Sequence, residues 1–286
     1  MPKKLAIITG AGSGFGLETT IALAKQEYNV IATVRSLQRA TQLIERIKKD
    51  QLLSDVDVVE MDVTNKIQVK EVISKIESQY GRVDLLVNNA GFALAGFVED
   101  VSEEEWIEQF DTNFFGVVRV TKAVLPMMRR QKKGRILMIS SISGRVVLPG
   151  IGPYATSKHA LEAYSESLRL EMKEVGIDVV IIEPGSYQTN IWKTGKRIAK
   201  ALSDKTSPNY KKFKKLEQSV IEREKTYGNK EEVIKVIIQA VIAKVPAFRY
   251  KVGKGVLVTI LIKQLLPWSL WEKLVVKQMD KLSSKK

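Results

Sequence analysis

The amino-terminal stretch restricts the possible fold more than any other part of the sequence. An apolar run, LAIIT at residues 5–9, leads into Gly10, Gly14 and Gly16 and then into a helical pattern, LETTIALAKQEY. Such a run is typical of a parallel strand buried on both faces. A strand, a glycine-rich turn and a helix N-terminus together predict an anion-binding site, because backbone N–H groups and the helix dipole face a phosphate. A glycine-rich loop without a ligand is the alternative interpretation.

The second predicted strand, NVIATV at residues 29–34, ends at Arg35. An acidic residue at this position would accept a hydrogen bond from the ribose 2′-hydroxyl of NAD, but the sequence has none there. Arg35 and Ser13 of the glycine loop instead suit a 2′-phosphate, so the sequence favours NADP(H) over NAD(H). An arginine that is simply solvated at a helix entrance is the alternative.

Strand and helix patterns alternate along most of the chain. Further strands are predicted at residues 55–63, 83–91, 135–140, 177–185 and 248–252, and helices at 37–50, 66–79, 103–131, 153–174 and 230–244. Regular alternation of this kind predicts a parallel sheet with helices on both faces. We therefore expect an α/β fold in one domain spanning residues 1–286, with a Rossmann-type, doubly wound, mostly parallel seven-stranded sheet.

The stretch SSISGRVVLPGIGPYATSK at residues 140–158 carries the candidate chemistry. Pro153 suits the first position of a helix, which places Tyr154 in the first turn and Lys158 one turn later on the same face. A neighbouring cation favours the phenolate, so Lys158 is expected to lower the pKa of Tyr154 and make it an acid and a base. Ser141 supplies a hydroxyl from a strand end. An ordinary surface pair of Tyr and Lys is the alternative, because short motifs often match by chance.

Composition excludes several other chemistries. The chain has no cysteine and a single histidine, His159, which excludes disulfides, thiolate catalysis and a histidine-rich metal site; no metal is predicted. The formal net charge of +14 raises the question of nucleic acid or anionic membranes, but aromatic residues among the basic ones are sparse and no nucleic-acid partner is expected. The amino terminus shows no signal-peptide pattern, so we expect a cytoplasmic protein.

Together these motifs resemble the single-domain branch of the short-chain dehydrogenases/reductases over about residues 4–190. The ATVRS segment at 32–36 is similar to the hydroxysteroid and retinol dehydrogenase subgroup, in which NADP is common. The matching elements are TGAGSGFG (9–16), Asp62–Val63, NNAG (88–91), Asn113, Ser141, YATSK (154–158) and PGSYQT (184–189).

The resemblance implies a role for each matching residue. Tyr154 would be the general acid in carbonyl reduction and the base in alcohol oxidation, while Lys158 would hold the nicotinamide ribose. Ser141 would bind the substrate oxygen, and Asn113 would help to seat a water in a proton relay. The residues assigned to the cofactor are Gly10, Ser13, Gly14, Phe15, Gly16, Arg35, Asp62 (to adenine), Val63, Asn89, Ala90, Gly91, Tyr154, Lys158, Pro184, Gly185 and Thr189.

Two segments lie beyond the motifs. Residues of about 187–228 include a basic stretch that is either a mobile substrate lid or a solvated, poorly ordered insertion. An apolar tail of about 255–282 is divided by Pro267 and is too short in each part for the ~20 residues of a membrane span. Its tryptophans and lysines suit a peripheral contact with a membrane. We favour instead a tail that packs on the pocket or on a partner subunit.

The sequence thus predicts an NADP(H)-dependent oxidoreductase that interconverts a carbonyl and an alcohol on a small hydrophobic substrate, steroid-like, retinoid-like or lipid-like. We expect a homo-oligomer, either a dimer or a tetramer. A membrane-surface lipid keto-reductase and a non-catalytic NADP-binding regulator are the alternatives. A regulator is disfavoured because it has no need of Ser141, Tyr154 and Lys158 together.

Overall fold

The computed structural model describes residues 3–187, 196–224 and 226–284. Its strands are β1 (Lys4–Thr9), β2 (Tyr28–Val34), β3 (Val56–Glu60), β4 (Leu85–Asn88), β5 (Ala93–Ala95), β6 (Gly134–Ile139), β7 (Ile177–Pro184), β8 (Lys196–Ile198) and β9 (Arg249–Val252). Its helices are α1 (Gly14–Ala24), α2 (Thr41–Lys49), α3 (Lys66–Tyr80), α4 (Glu103–Phe110), α5 (Gly116–Gln131), α6 (Gly152–Met172), α7 (Tyr210–Glu224), α8 (Lys230–Ile242), α9 (Val256–Leu265) and α10 (Trp268–Ser284).

A seven-stranded sheet forms the centre, in the order β3-β2-β1-β4-β6-β7-β9, and each neighbouring pair is parallel. The predicted Rossmann-type fold is confirmed. The strand order reverses between β1 and β4, which pair side by side. In open α/β sheets, ligands bind in the crevice outside the carboxyl ends of the strands at such a point.

Helices cover both faces of this sheet because the strand side chains alternate in direction. In β1, Ala6 and Ile8 pack toward α1, α2 and α8. Leu5 and Ile7 pack toward α3, α5 and α6 on the other face. Both faces of the strand are therefore buried, which explains its uninterrupted apolar sequence.

The predicted helix over 103–131 contains a π-helical segment, Asp111–Phe115, between α4 and α5. The segment carries the buried Asn113. Insertions of this kind are rare and occur often at functional sites. Periodicity does not reveal them, because one extra residue per turn shifts the apolar stripe only slightly.

A second, two-stranded sheet pairs β5 with β8 in parallel. Strands of three residues are too short to produce a periodic signal, so the sequence did not predict them. Phe213 of α7 packs in the same apolar cluster as Leu94 and Leu202. The described residues of the predicted lid thus form β8, a 3-10 turn at Lys200–Ser203 and α7.

Pro267 separates α9 from α10 in the tail, as its position predicts. Val256 and Ile260 of α9 and Trp271 of α10 are buried against Val146. The tail therefore packs on the turn that follows Ser141. Within the described parts of the chain, no helix combines the length and the apolar character that crossing a membrane requires.

Candidate active site at the carboxyl ends of the strands

A cavity of about 570 Å3 lies outside the carboxyl ends of the central strands. It brings together almost all of the residues that the sequence singled out. Those that line it are Gly10, Ser13, Gly14, Phe15, Arg35, Asp62, Val63, Asn89, Ala90, Gly91, Asn113, Ser141, Tyr154, Lys158, Pro184 and Gly185. Gly16 is not among the lining residues, and Thr189 lies outside the described part of the chain.

The glycine loop between β1 and α1 is shaped by close backbone contacts. Gly10 and Gly14 have φ of +66° and +56°, which only glycine adopts at little cost. Asn89 fixes the loop, because its Nδ2 donates to the carbonyl oxygens of Thr9 at 2.9 Å and Gly10 at 3.0 Å. Asn89 thus has a structural task beside its place in the cavity wall.

Gly12 and Gly16 occupy places that no side chain fits. A Cβ on Gly12 would lie 2.6 Å from the Arg39 carbonyl oxygen. One on Gly16 would lie 2.5 Å from Asn89 Nδ2 and closer still to the Gly10 carbonyl oxygen. Ser13 precedes α1 without a side-chain cap, and the first turn has no acidic residue. The bare backbone and the uncapped helix N-terminus fit a phosphate group.

We expect Gly16→Ala to destabilise the fold by about 1–3 kcal/mol, because the new methyl group forces backbone atoms apart. Gly81→Ala is the matched control, since Gly81 has φ +65° but open space around its Cβ position. That control should lose only the free energy needed to hold an alanine at positive φ, about 1–2 kcal/mol. Denaturant unfolding measures both; a Gly16→Ala loss no larger than that of Gly81→Ala would contradict the proposed close packing.

Ser141, Tyr154 and Lys158 meet at one end of the cavity. Ser141 follows β6 in extended conformation, and its Oγ accepts a hydrogen bond from Ser143 N at 3.1 Å. Pro153 lies in the first turn of α6 beside Tyr154, and the Ser141 side chain hydrogen-bonds the Tyr154 side chain. Lys158 Nζ donates to the Ile139 carbonyl oxygen at 2.7 Å and lies 5.8 Å from the Tyr154 ring centroid.

Burial dominates the electrostatics of these residues. It raises the pKa of Tyr154 to about 12, against the opposing hydrogen bond from Ser141. It lowers the pKa of Lys158 to about 8, against the opposing charge of Glu162. The pKa of the phenol is therefore raised and not lowered as the sequence predicts, because desolvation disfavours the phenolate. A pKa of about 12 keeps the Tyr154 phenol protonated at neutral pH.

Asn113 fastens the segment after β4 to α6. Its Oδ1 accepts from Phe92 N at 3.0 Å, and its Nδ2 donates to the Phe92 carbonyl oxygen at 3.0 Å and to Ser157 Oγ at 3.2 Å. These bonds use both amide hydrogens, so the Asn113 side chain positions the cavity wall. A relay water near Asn113 stays a prediction.

Two exposed arginines line the far end of the cavity. Arg35 follows β2 directly, and Arg39 lies four residues later in a 3-10 turn. In the described residues, neither has an ion-pair partner, while the nearby Glu60 accepts a hydrogen bond from Leu37 N at 3.1 Å. Sequence reasoning missed Arg39 because a basic residue at a helix start is usually solvated; its spacing from Arg35 was the available signal.

The Asp62 carboxylate accepts hydrogen bonds from a residue of the same turn. Its Oδ1 accepts from Thr64 N at 2.9 Å and from Thr64 Oγ1 at 2.8 Å. These bonds fix the turn after β3 at the cavity edge. The expected contact between Asp62 and adenine stays a prediction.

The apolar sequence after Ser141 predicts a substrate pocket bounded by Ser143, residues 145–151 and Tyr187, and the structure brings only part of this wall to the cavity. Ser143 and Tyr187 line the cavity as expected, and Tyr187 donates from its hydroxyl to Glu232 Oε2 at 2.9 Å. The stretch 145–151 contributes no lining residue, because Val146 packs into the tail cluster instead. Arg197 of β8, which the sequence did not single out, also lines the cavity and is paired with Glu108.

Known proteins resemble this chain in sequence. The model of the short-chain dehydrogenase family matches residues 4–198. An uncharacterized oxidoreductase of Bacillus subtilis is 41% identical over 98% of this chain and 99% of its own. A 3-ketodihydrosphingosine reductase of Bacteroides thetaiotaomicron is 37% identical over 94% of each chain. Human retinol dehydrogenase 8 is 39% identical over 65% of this chain and 60% of its own.

Solved structures share the fold. A short-chain dehydrogenase of Streptomyces avermitilis is 27% identical, with a TM-score of 0.80 over 99% of this chain and 100% of its own. An alcohol dehydrogenase of Thermococcus sibiricus, complexed with 5-hydroxy-NADP, is 25% identical, with a TM-score of 0.71 over 87% and 96%. A Burkholderia phymatum protein in complex with NAD is 23% identical, with a TM-score of 0.80 over 92% and 93%, a likeness of fold alone.

Proposed function

The chain belongs to the short-chain dehydrogenase family, and on this premise we propose that it is an NADP(H)-dependent oxidoreductase that reduces a carbonyl or oxidises an alcohol on a hydrophobic substrate. The observation that carries the proposal is the neutral, buried Tyr154 beside Ser141 and Lys158, in the cavity that also contains the glycine loop. A proton donor at one end and a phosphate cradle at the other suit this reaction.

Residues of this chain bind and orient the substrate and protonate its oxygen. The hydroxyls of Ser141 and Tyr154 converge, so together they hold the substrate oxygen, and Tyr154 transfers its phenolic proton to that oxygen in the reductive direction. Lys158, held by the Ile139 carbonyl oxygen, supplies positive charge beside the phenol. When bound, the nicotinamide supplies or accepts the hydride. Because its pKa is raised, the Tyr154 phenol keeps at neutral pH the proton that the reductive direction consumes.

The preference for NADP(H) rests on Arg35 and Arg39. Both line the cavity beyond β2, where two cations would bind a 2′-phosphate. Family membership leaves this choice open, because the solved relatives include complexes with either cofactor. The two arginines therefore carry the argument for this chain.

We expect Arg35→Ala and Arg39→Ala each to raise the Kd for NADPH about tenfold while leaving the Kd for NADH unchanged. A hydrogen bond to a charged group is worth about 1.5–3 kcal/mol, and solvent screening at these exposed positions reduces the value. Lys48→Ala, an exposed cation of α2 away from the cavity, is the control. Fluorescence titration measures each Kd. Equal losses for NADPH and NADH, or parental protein that binds both equally, would argue against the assignment.

The hydrophobic substrate class is supported by the relatives and by the tail. The named substrates of two relatives, 3-ketodihydrosphingosine and retinol, place a ketone or an alcohol on a long hydrocarbon. In this chain Ile142, directly after Ser141, packs against the apolar tail cluster that contains Val146. A screen of steroid, retinoid, keto-lipid and small carbonyl compounds, monitored by NADPH consumption, tests the class. Association into a dimer or tetramer stays a prediction.

A further inference from the structure

The tail exposes an unusually apolar surface, here named the tail face. It comprises Leu257, Leu261 and Leu265 of α9 and Trp268, Leu274 and Val276 of α10. Leu265 is 80% exposed and Trp268 69% exposed. Several large apolar side chains exposed within one short segment indicate a surface that interacts with a protein or a membrane.

On α9 the tail face is the outer side of a helix that is anchored on its inner side. Val256 and Ile260, four residues apart, are buried against Val146, while Leu257, Leu261 and Leu265 follow at the same spacing on the outer side. Trp271 anchors α10 in the same cluster. Because the inner contacts already hold the helices, the outer apolar side chains are not needed for packing within this chain.

Exposed lysines accompany the apolar side chains of the tail face. Lys251 and Lys254 precede α9, and Lys273 and Lys277 lie on α10; all four are exposed. Helix α7, which packs against α10, adds a further row of exposed lysines. A two-fold contact with a second copy would bring these like charges close to one another. Anionic lipid headgroups would instead neutralise them while the apolar side chains enter the acyl boundary.

The tail face also lies close to the active site. Ile142 and Val146 of the tail cluster follow Ser141 in sequence, and Lys263 Nζ donates to the Arg145 carbonyl oxygen at 2.8 Å. A membrane bound by α9 and α10 would therefore lie near the turn that carries Ser141. A lipid-like substrate dissolved in that membrane would need to travel only a short way to the cavity.

We propose that α9 and α10 dock on an anionic lipid surface through the tail face, and that this places the cavity where a long-chain ketone or alcohol is supplied from the bilayer. The substrate part of this inference rests on the proposed function; the docking does not. The helices lie in the interface, since neither is long and apolar enough to span it.

Co-sedimentation of the full chain with vesicles tests the docking without any need for turnover. We expect binding to phosphatidylglycerol-containing vesicles, weaker binding at high salt, and little binding to pure phosphatidylcholine. The double variant Leu265→Gln/Trp268→Gln should reduce binding at least tenfold. Val245→Gln, at a position 89% exposed and outside the tail face, is the matched control and should bind as the parent does. Lys273→Glu/Lys277→Glu should weaken binding to anionic vesicles without touching an apolar side chain.

Thermal unfolding of each variant verifies that the fold is retained. Absence of binding to anionic vesicles, or equal binding by the parent and the Leu265→Gln/Trp268→Gln variant, would overturn the docking. A tail face that instead holds two copies together would appear as a dimer that the double variant dissociates, and would overturn it as well. Vesicle binding by a chain that turns over no carbonyl substrate would leave the docking intact and refute only the proposed function.

Discussion

Tyr154→Phe is expected to lower kcat/KM for carbonyl reduction by about 10²–10⁴-fold, the range contributed by a positioned general acid. The Kd for NADPH should change little, because the aromatic ring that fills the buried site remains. Ser141 keeps its hydrogen bond from Ser143 N, so the stability of the fold should also be close to that of the parent. Steady-state reduction and a fluorescence titration of NADPH separate the two effects.

The matched control is Tyr164→Phe. Tyr164 lies on α6 as Tyr154 does, is half-buried, and hydrogen-bonds Thr121 rather than lining the cavity. It should retain the turnover of the parent. A Tyr154→Phe enzyme with near-normal turnover on a substrate of the parent would remove Tyr154 from the mechanism.

Lys158→Met is expected to separate activity from stability. Turnover should fall by about 10²-fold or more, and the Kd for NADPH should rise, because the buried cation is lost. The fold should become more stable at neutral pH. Lowering the pKa of Lys158 from 10.5 to about 8 corresponds to a penalty of roughly 3 kcal/mol for the buried charge. Loss of the donor to the Ile139 carbonyl oxygen offsets about 1–2 kcal/mol of this gain.

The pH dependence of the stability follows from the direction in which burial moves the pKa of Lys158. Between pH of about 8 and 10.5 the unfolded chain holds the Lys158 proton and the folded chain does not, so the stability of the parent rises with pH in this window. The advantage of Lys158→Met should be full below pH 8 and should disappear by about pH 10.5. Denaturant unfolding across this range, with Lys48→Met as the surface control, measures it. If Lys158→Met is instead less stable than the parent, and its stability depends on pH in the same way, then burial does not disfavour the charged form of this lysine.

The central sheet and the Ser141–Tyr154–Lys158 group could be predicted because their signals are local. The uninterrupted apolar sequence of β1 indicates that both faces of the strand are buried. Pro153 indicates where α6 begins. The spacing of Tyr154 and Lys158 then follows from helix geometry. Chemistry carried by such elements can be derived from sequence with little help from structure.

Other features depend on contacts that the sequence does not specify. The pKa of Tyr154 moves in the opposite direction from the prediction because burial, which short-range spacing does not indicate, raises it by more than the hydrogen bond with Ser141 lowers it. Arg39 joins Arg35 only because a 3-10 turn follows β2. The stretch after Ser141 reads as a pocket wall, but the tail, more than a hundred residues later, takes Val146 into its own cluster.

The most direct measurement of the central claim is the initial rate of NADPH consumption by the full chain with a series of ketones of increasing hydrocarbon length, alongside the Tyr154→Phe variant. We predict that kcat/KM rises with hydrocarbon length, that NADPH is used in preference to NADH, and that the variant is inactive with every ketone. A chain that binds NADPH but reduces none of these ketones, or that reduces short polar ketones best and does so without Tyr154, would contradict the account.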